Sequence, residues 1–187
     1  MAGRSRGGQS ARDMMLSLAP LVLIVLAVVG FAGMCSFRPG APGVDPGTAP
    51  RIDATQRLEE LAGSVDFPVR VPELPSGWVA NAAGVDPVGR VPGAPVAVRV
   101  GWLTPARDYL RLSQSPAAEP ALASFETRLR EAPTGAVEVA GRTWVRYPGQ
   151  RSEQAWVTDL GDVRLLVTGS AGEEEFRTLA RAVLAAP

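Results

Sequence analysis

The stretch EQAWVTDLGDVRLLVTGSAGEEEFRTLARAVL, Glu153 to Leu184, decides the fold class. Glu153–Thr158 and Val163–Thr168 are short runs rich in apolar and β-branched residues, and Asp159-Leu160-Gly161-Asp162 between them has the composition of a tight turn. That arrangement predicts an antiparallel hairpin. The periodicity then changes. Phe176, Leu179, Ala180 and Val183 recur at helical spacing. Ser170 with Glu173 reads as a capping box, and Glu173, Glu174 and Glu175 place negative charge at the positive end of the helix dipole.

Upstream, Val137–Val139 and Arg142–Tyr147 flank Ala140-Gly141 as a second hairpin. A helix is expected from Pro120 to about Glu131, with Leu122, Phe125 and Leu129 on one face and Glu126–Arg130 as an i,i+4 ion pair. Strands are expected at Trp78–Val85, Val96–Leu103 and Tyr109–Gln114, the second by its period-two alternation. Asp53 and Gln56 resemble a capping box for a helix carrying Ala54, Leu58, Leu61 and Ala62 on one face and stopped by Gly63. Pro68, Pro72 and Pro75 keep FPVRVPELPSGW, Phe67 to Trp78, out of any helix. Strands come in hairpin groups rather than singly between helices. The predicted class is therefore α+β, an antiparallel sheet with about three helices packed on one face.

Before this domain, RPGAPGVDPGTAPR, Arg38 to Arg51, is too rich in Pro and Gly to fold and reads as an extended stalk. Met14 to Phe37 carries no charge over 24 residues, which as a helix spans roughly 36 Å, enough for a hydrocarbon core of about 30 Å. The run is longer than the apolar core of a cleaved signal peptide, and Ala32-Gly33-Met34 is a poor cleavage site. It is expected to stay as a single-pass signal anchor. Arg4, Arg6 and Arg12 precede it and only Arg38 and Arg51 follow closely, so the N-terminus is expected in the cytoplasm and the C-terminal domain outside. The division is a cytoplasmic Arg-rich tail (1–13), a transmembrane helix (14–37), a linker (38–51) and an extracytoplasmic domain (52–187). Cys35 falls at the outer end of the span, where a free thiol, a lipidated one or a disulfide to a second copy are all open.

Composition removes whole classes of chemistry. The 187 residues include 19 basic and 19 acidic side chains, no His and one Cys, and every basic residue is Arg. Without His there is no Ser-His-Asp or Cys-His nucleophile system. Without Lys there is no Schiff base and no P-loop lysine. A zinc site of nitrogen and sulfur ligands has no ligand set here. The balanced charge argues against a nucleic-acid partner.

The order of these segments, with VGWLTPARDYLRLSQS, VAGRTWVRY and the Trp156-to-Gly169 hairpin, resembles the actinobacterial membrane-anchored family catalogued as domain of unknown function 4245. Leu74-Pro75-Ser76-Gly77-Trp78 and Gly141-Arg142-Thr143-Trp144 are the most specific pieces, and the resemblance covers nearly the whole chain. It implies a cell-envelope protein and supplies no catalytic residue to carry over.

Candidate sites are few. Asp159 and Asp162 are explained by the turn, and Glu59, Glu60 and Glu173–Glu175 by solvated or N-terminal helix positions. Trp78, Trp102, Trp144 and Trp156 all lie in or beside strands, as core or as the lining of a ligand pocket. Arg99, Arg107, Arg111, Arg142 and Arg146 are the nearest thing to a basic surface, with Arg142 and Arg146 on one face of their strand. The expected function is a non-catalytic extracytoplasmic binding module, with no cofactor or metal. Its expected partners are the bilayer, through Met14–Phe37, and an envelope protein or cell-wall component. The alternatives are a small-ligand or lipid carrier with a Trp-lined pocket, and a hydrolase working with carboxylates alone.

Overall fold

A computed structural model describes residue 16, residues 18–24 and residues 50–187. The chain divides into two compact units, Met1–Pro42 and Gly43–Pro187. In the first, residues 18–24 are helical, and the side chains of Leu16, Leu21, Leu23 and Ile24 are exposed. No helix among the described residues is long and apolar enough to cross a membrane. The expected tail, most of the expected span Met14–Phe37 with Cys35, and the linker as far as residue 49 lie outside the described residues.

Among the described residues the second unit holds three helices and seven strands. They are α1 (Ala54–Ala62), β1 (Val79–Pro87), β2 (Val96–Leu103), β3 (Tyr109–Ser115), α2 (Glu119–Thr127), β4 (Gly135–Val139), β5 (Arg142–Pro148), β6 (Gln154–Asp159), β7 (Arg164–Gly169) and α3 (Glu173–Ala185). All pairings are antiparallel, in the order β1-β2-β3-β7-β6-β5-β4. Two meanders, β1 to β3 and β4 to β7, are therefore joined along one seam between β3 and β7. Each hairpin predicted from the sequence forms.

The sheet is covered on both faces, which corrects the expectation of helices on one face. Side chains alternate across a strand. Val98, Val100 and Trp102 of β2, Leu110 and Leu112 of β3, and Leu165 and Val167 of β7 therefore meet Leu58 and Leu61 of α1 and Phe176, Leu179 and Val183 of α3. On the other face Ala97, Ala155, Val157 and Leu166 meet Leu122 and Ala123 of α2. Both faces of the central strands are buried, so β7 reads as an apolar run rather than an alternation.

Capping chemistry differs in detail from its sequence signatures. Asp53 accepts the N–H of Gln56 at 3.1 Å, but the Gln56 side chain donates to Glu60 rather than closing the box. At α3 the cap sits two residues later than expected. Glu175 accepts the N–H of Gly172 at 2.9 Å, while Ser170 Oγ accepts the N–H of Tyr109. Helix α2 ends at Thr127, short of the expected Glu131, because Arg128 turns left-handed at φ 61°.

The segment before β1 packs on the α1/α3 core through Phe67, Val69, Val71 and Leu74. Gln114 pairs with it as a strand would, accepting the N–H of Arg70 and donating to its carbonyl, each at 2.8 Å. Arg70 in turn donates to the carbonyls of Leu184 and Ala186 at the end of α3.

At the seam, Gly169 has φ 151°, and a Cβ there collides with the Tyr109 carbonyl and comes 3.0 Å from Leu110 Cα. The obstacle is backbone of the neighbouring strand, which cannot swing aside. Gly169→Ala is expected to cost about 3 kcal/mol by opening the seam. Denaturant unfolding of the full chain checks this, with Gly161→Ala as the comparison, where an added Cβ meets open space and only the turn's φ of 99° is strained.

Candidate functional site

On the α2 face the apolar cover is incomplete over β2 and β3, and a charged network completes it. Arg99 and Ser113 are register partners, as are Gly101 and Arg111, so strand alternation puts Arg99, Arg111 and Ser113 on this face together. Helix α2 brings Glu126 down onto them. Its side chain is fully buried. Ser113 Oγ donates to Oε1 at 2.7 Å, and Arg111 Nη1 and Arg99 Nη2 donate to Oε2 at 3.1 and 3.2 Å. Arg99 Nε also lies 2.9 Å from Oε1, an ion-pair contact whose N–H is not aimed at that oxygen. Arg99 Nη1 reaches outward to Asp86 at 2.7 Å.

Glu126 was expected to pair with Arg130 on the helix surface. The buried face of α2 is instead Leu122, Ala123, Glu126 and Thr127, with Phe125 only half-buried. Burying the carboxylate is tolerated because two cations and a hydroxyl meet it.

Tyr109 frames the network. With no Cβ on Gly101, the Tyr109 hydroxyl settles over that residue and accepts Arg111 Nε at 3.1 Å. Burial works against the Arg111 cation, yet Tyr109 and then Glu126 outweigh it and hold its pKa above the ordinary guanidinium value. Phe125 lies between two guanidiniums, Arg99 at 5.2 Å and Arg128 at 5.4 Å from its centroid.

Beside this network is an open groove of about 960 Å³. Its walls are the β1–β2 turn with Asp86, Val88 and Arg90, the outer face of α2 with Phe125, the segment Arg128–Glu131, and Tyr147-Pro148 of β5. Arg90, Arg99, Arg128 and Arg130 line it against only Asp86 and Glu131. Among the described residues Arg90, Arg128 and Arg130 make no ion pair with a carboxylate. A smaller cleft of about 200 Å³ lies across Arg99, lined by Gly84, Gly101, Tyr109 and Arg111.

Of the sequence-derived candidates, Arg99 and Arg111 enter this network, while the tryptophans, Arg142 and Arg146 are placed elsewhere. Trp144 and Trp156 are fully buried, Trp102 is 3 % exposed, and the half-buried Trp78 packs against the same α1/α3 core. Trp156 packs against Phe176 in a tilted arrangement with centroids 5.0 Å apart, and its Nε1 donates to Gln154, while Trp144 Nε1 is enclosed without a protein partner. None of the four lines the groove. Arg146 is held by Gln154 at 3.2 Å over the Trp156 ring, and Arg142 is exposed on the same strand. Asp159 shapes its turn. It accepts the Gly161 N–H at 2.7 Å, which, with Arg164, keeps its carboxyl below the usual range. Among the described residues no three His, Cys, Asp or Glu side chains converge on a metal site. What the sequence reading missed is Glu126. Its signal was position: it sits four residues after Leu122 and three after Ala123, on the stripe that α2 buries.

The molecule thus defined is an α+β protein with helices on both faces of a seven-stranded antiparallel sheet and an arginine-rimmed groove beside α2. The profile of a family described as Protein of unknown function (DUF4245) matches residues 6–183, and the chain belongs to that family. No curated protein and no solved structure matches it.

Two outcomes test this geometry. Glu126→Ala leaves Arg99 and Arg111 facing each other without their shared carboxylate, and is expected to cost about 3–5 kcal/mol in denaturant unfolding. Tyr147 donates to Glu119 at 2.8 Å, and burial followed by that bond pushes its hydroxyl up to about 12. A raised folded pKa means that the contribution to stability is complete below the ordinary tyrosine value of about 10 and is lost as pH rises through about 12. Tyr109 and Tyr147 are the only tyrosines in the chain. A tyrosinate absorbance titration should show a late step that Tyr147→Phe abolishes.

Proposed function

We propose that this chain is a single-pass membrane protein of the bacterial cell envelope. Its N-terminus is cytoplasmic, and its domain 52–187 stands outside as a non-catalytic binding module that uses the groove beside α2. The tether rests on the uncharged run Met14–Phe37, the Arg bias ahead of it and the Pro-rich stalk after it. The all-Arg basic set fits a high-GC genome, and the resemblance of the segments suggests an actinobacterial source.

The observation that carries the binding reading is the groove itself: a concave surface where Arg90, Arg128 and Arg130 pair with no carboxylate among the described residues. A protein surface that serves only solubility pairs or disperses such charges, whereas convergent unpaired cations in a concavity are poised for a ligand. The non-catalytic reading rests on the inventory. The chain has no His and no Lys, and its one buried carboxylate among the described residues, Glu126, already has both oxygens engaged.

A phosphatase reporter fused at the C-terminus, active only outside the cytoplasm, tests the tether. We expect activity in whole cells and retention of the full chain in membranes after carbonate washing. A reporter active only when placed in the cytosol, or a chain released by carbonate, overturns it.

A further inference from the structure

We infer that the groove beside α2 binds an extended acidic peptide segment of a partner protein, seating its carboxylates on Arg128, Arg130 and Arg90. This deepens the binding reading above and rests on it.

Three observations point to that ligand. The first is charge segregation. Residues 52–187 carry more acidic than basic side chains, yet the groove collects Arg90, Arg99, Arg128 and Arg130 against Asp86 and Glu131. The second is what has already been neutralised. Arg99 is spent on Glu126 and Asp86, while Arg128 and Arg130 are joined to no carboxylate in the described chain. The third is preorganisation. Arg128 holds φ 61°, a left-handed conformation that L residues rarely adopt. That turn ends α2 and swings Leu129, Arg130 and Glu131 over the groove instead of continuing along the helix. The Arg128 guanidinium lies over the Phe125 ring, which Arg99, fixed by Glu126, also contacts. The buried Glu126 network is thus the foundation on which the outer arginines stand.

Guanidinium forks favour planar carboxylates bound two oxygens at a time, which suits Asp and Glu side chains spaced along a chain. The groove is open rather than enclosed, and its lining reaches from the β1–β2 turn past α2 to Pro148, so an extended segment can lie in it.

The test uses the full chain in neutral detergent and a fluorescent ten-residue Glu/Asp peptide, with sulfated polysaccharide and phosphatidylglycerol vesicles as competing arms. Saturable peptide binding that weakens with salt is expected, with a loss of about tenfold or more in Arg128→Ala/Arg130→Ala. Arg57→Ala and Arg181→Ala, exposed arginines on α1 and α3 that do not line the groove, should bind as the parent does. Unchanged thermal midpoints show that the variants fold. Absence of saturable peptide binding, equal loss in the control variants, or preference for polysaccharide or vesicles each overturns the inference. Because the assay takes place in detergent, its failure leaves the reporter result on the tether untouched, and a cytosolic reporter leaves the peptide result standing.

Discussion

The seam between β3 and β7 is the constraint on which the rest of this domain depends. Every other strand pairing is a hairpin or a neighbour in sequence, and such contacts form with little loop closure. Only β3 to β7 joins residues about fifty to sixty positions apart, from Ser115 with Arg164 to Leu110 with Gly169. It converts two meanders into one sheet. It also makes both faces of the central strands interior, since α1 and α3 need one face and α2 the other. Gly169 allows the approach, because any side chain there would stand in the Tyr109 backbone.

The two faces are closed by different physics. On the α1/α3 face, Trp144, Trp156, Phe176 and the leucines fill the space with apolar volume, and little polarity has to be accommodated. On the α2 face a nine-residue helix is too short to cover seven strands. The uncovered part over β2 and β3 is closed by a carboxylate and two guanidiniums. A buried ion cluster gives less stability than apolar packing of the same volume, but it fixes orientation, because each charge tolerates only partners at the correct distance and angle. That fixed orientation carries outward through Phe125 to Arg128. The same helix therefore both anchors the face and forms one wall of the groove.

Much of the local structure was legible in the sequence. The hairpin around Asp159–Asp162 was read from turn chemistry, β2 from its alternation, and α3 from Phe176, Leu179, Ala180 and Val183, because each of these signals is local. Differences arose where a side chain had a local partner and a distant one in competition. Glu126 has Arg130 four residues on, which argues for a surface pair. In the fold it has Arg99 and Arg111, which lie far from it in sequence and meet it only after the sheet has formed. Ser170 likewise offered itself as a helix cap and went instead to the Tyr109 N–H of a neighbouring strand. The tryptophans could not be assigned by type at all, since a large aromatic serves a core and a binding cleft equally well, and only burial separates the two.

By itself the sequence determined the α+β class, the number and order of the elements, the families of chemistry closed to a chain without His or Lys, and the family to which it belongs. Those follow from periodicity, turn residues and inventory, which are properties of neighbours along the chain. The tertiary structure alone decided that helices cover both faces, that the tryptophans lie inside, and that Glu126 gathers Arg99 and Arg111 beside an arginine-lined groove. Each of these depends on which strands lie side by side, and that was settled by the single long-range pairing of β3 with β7.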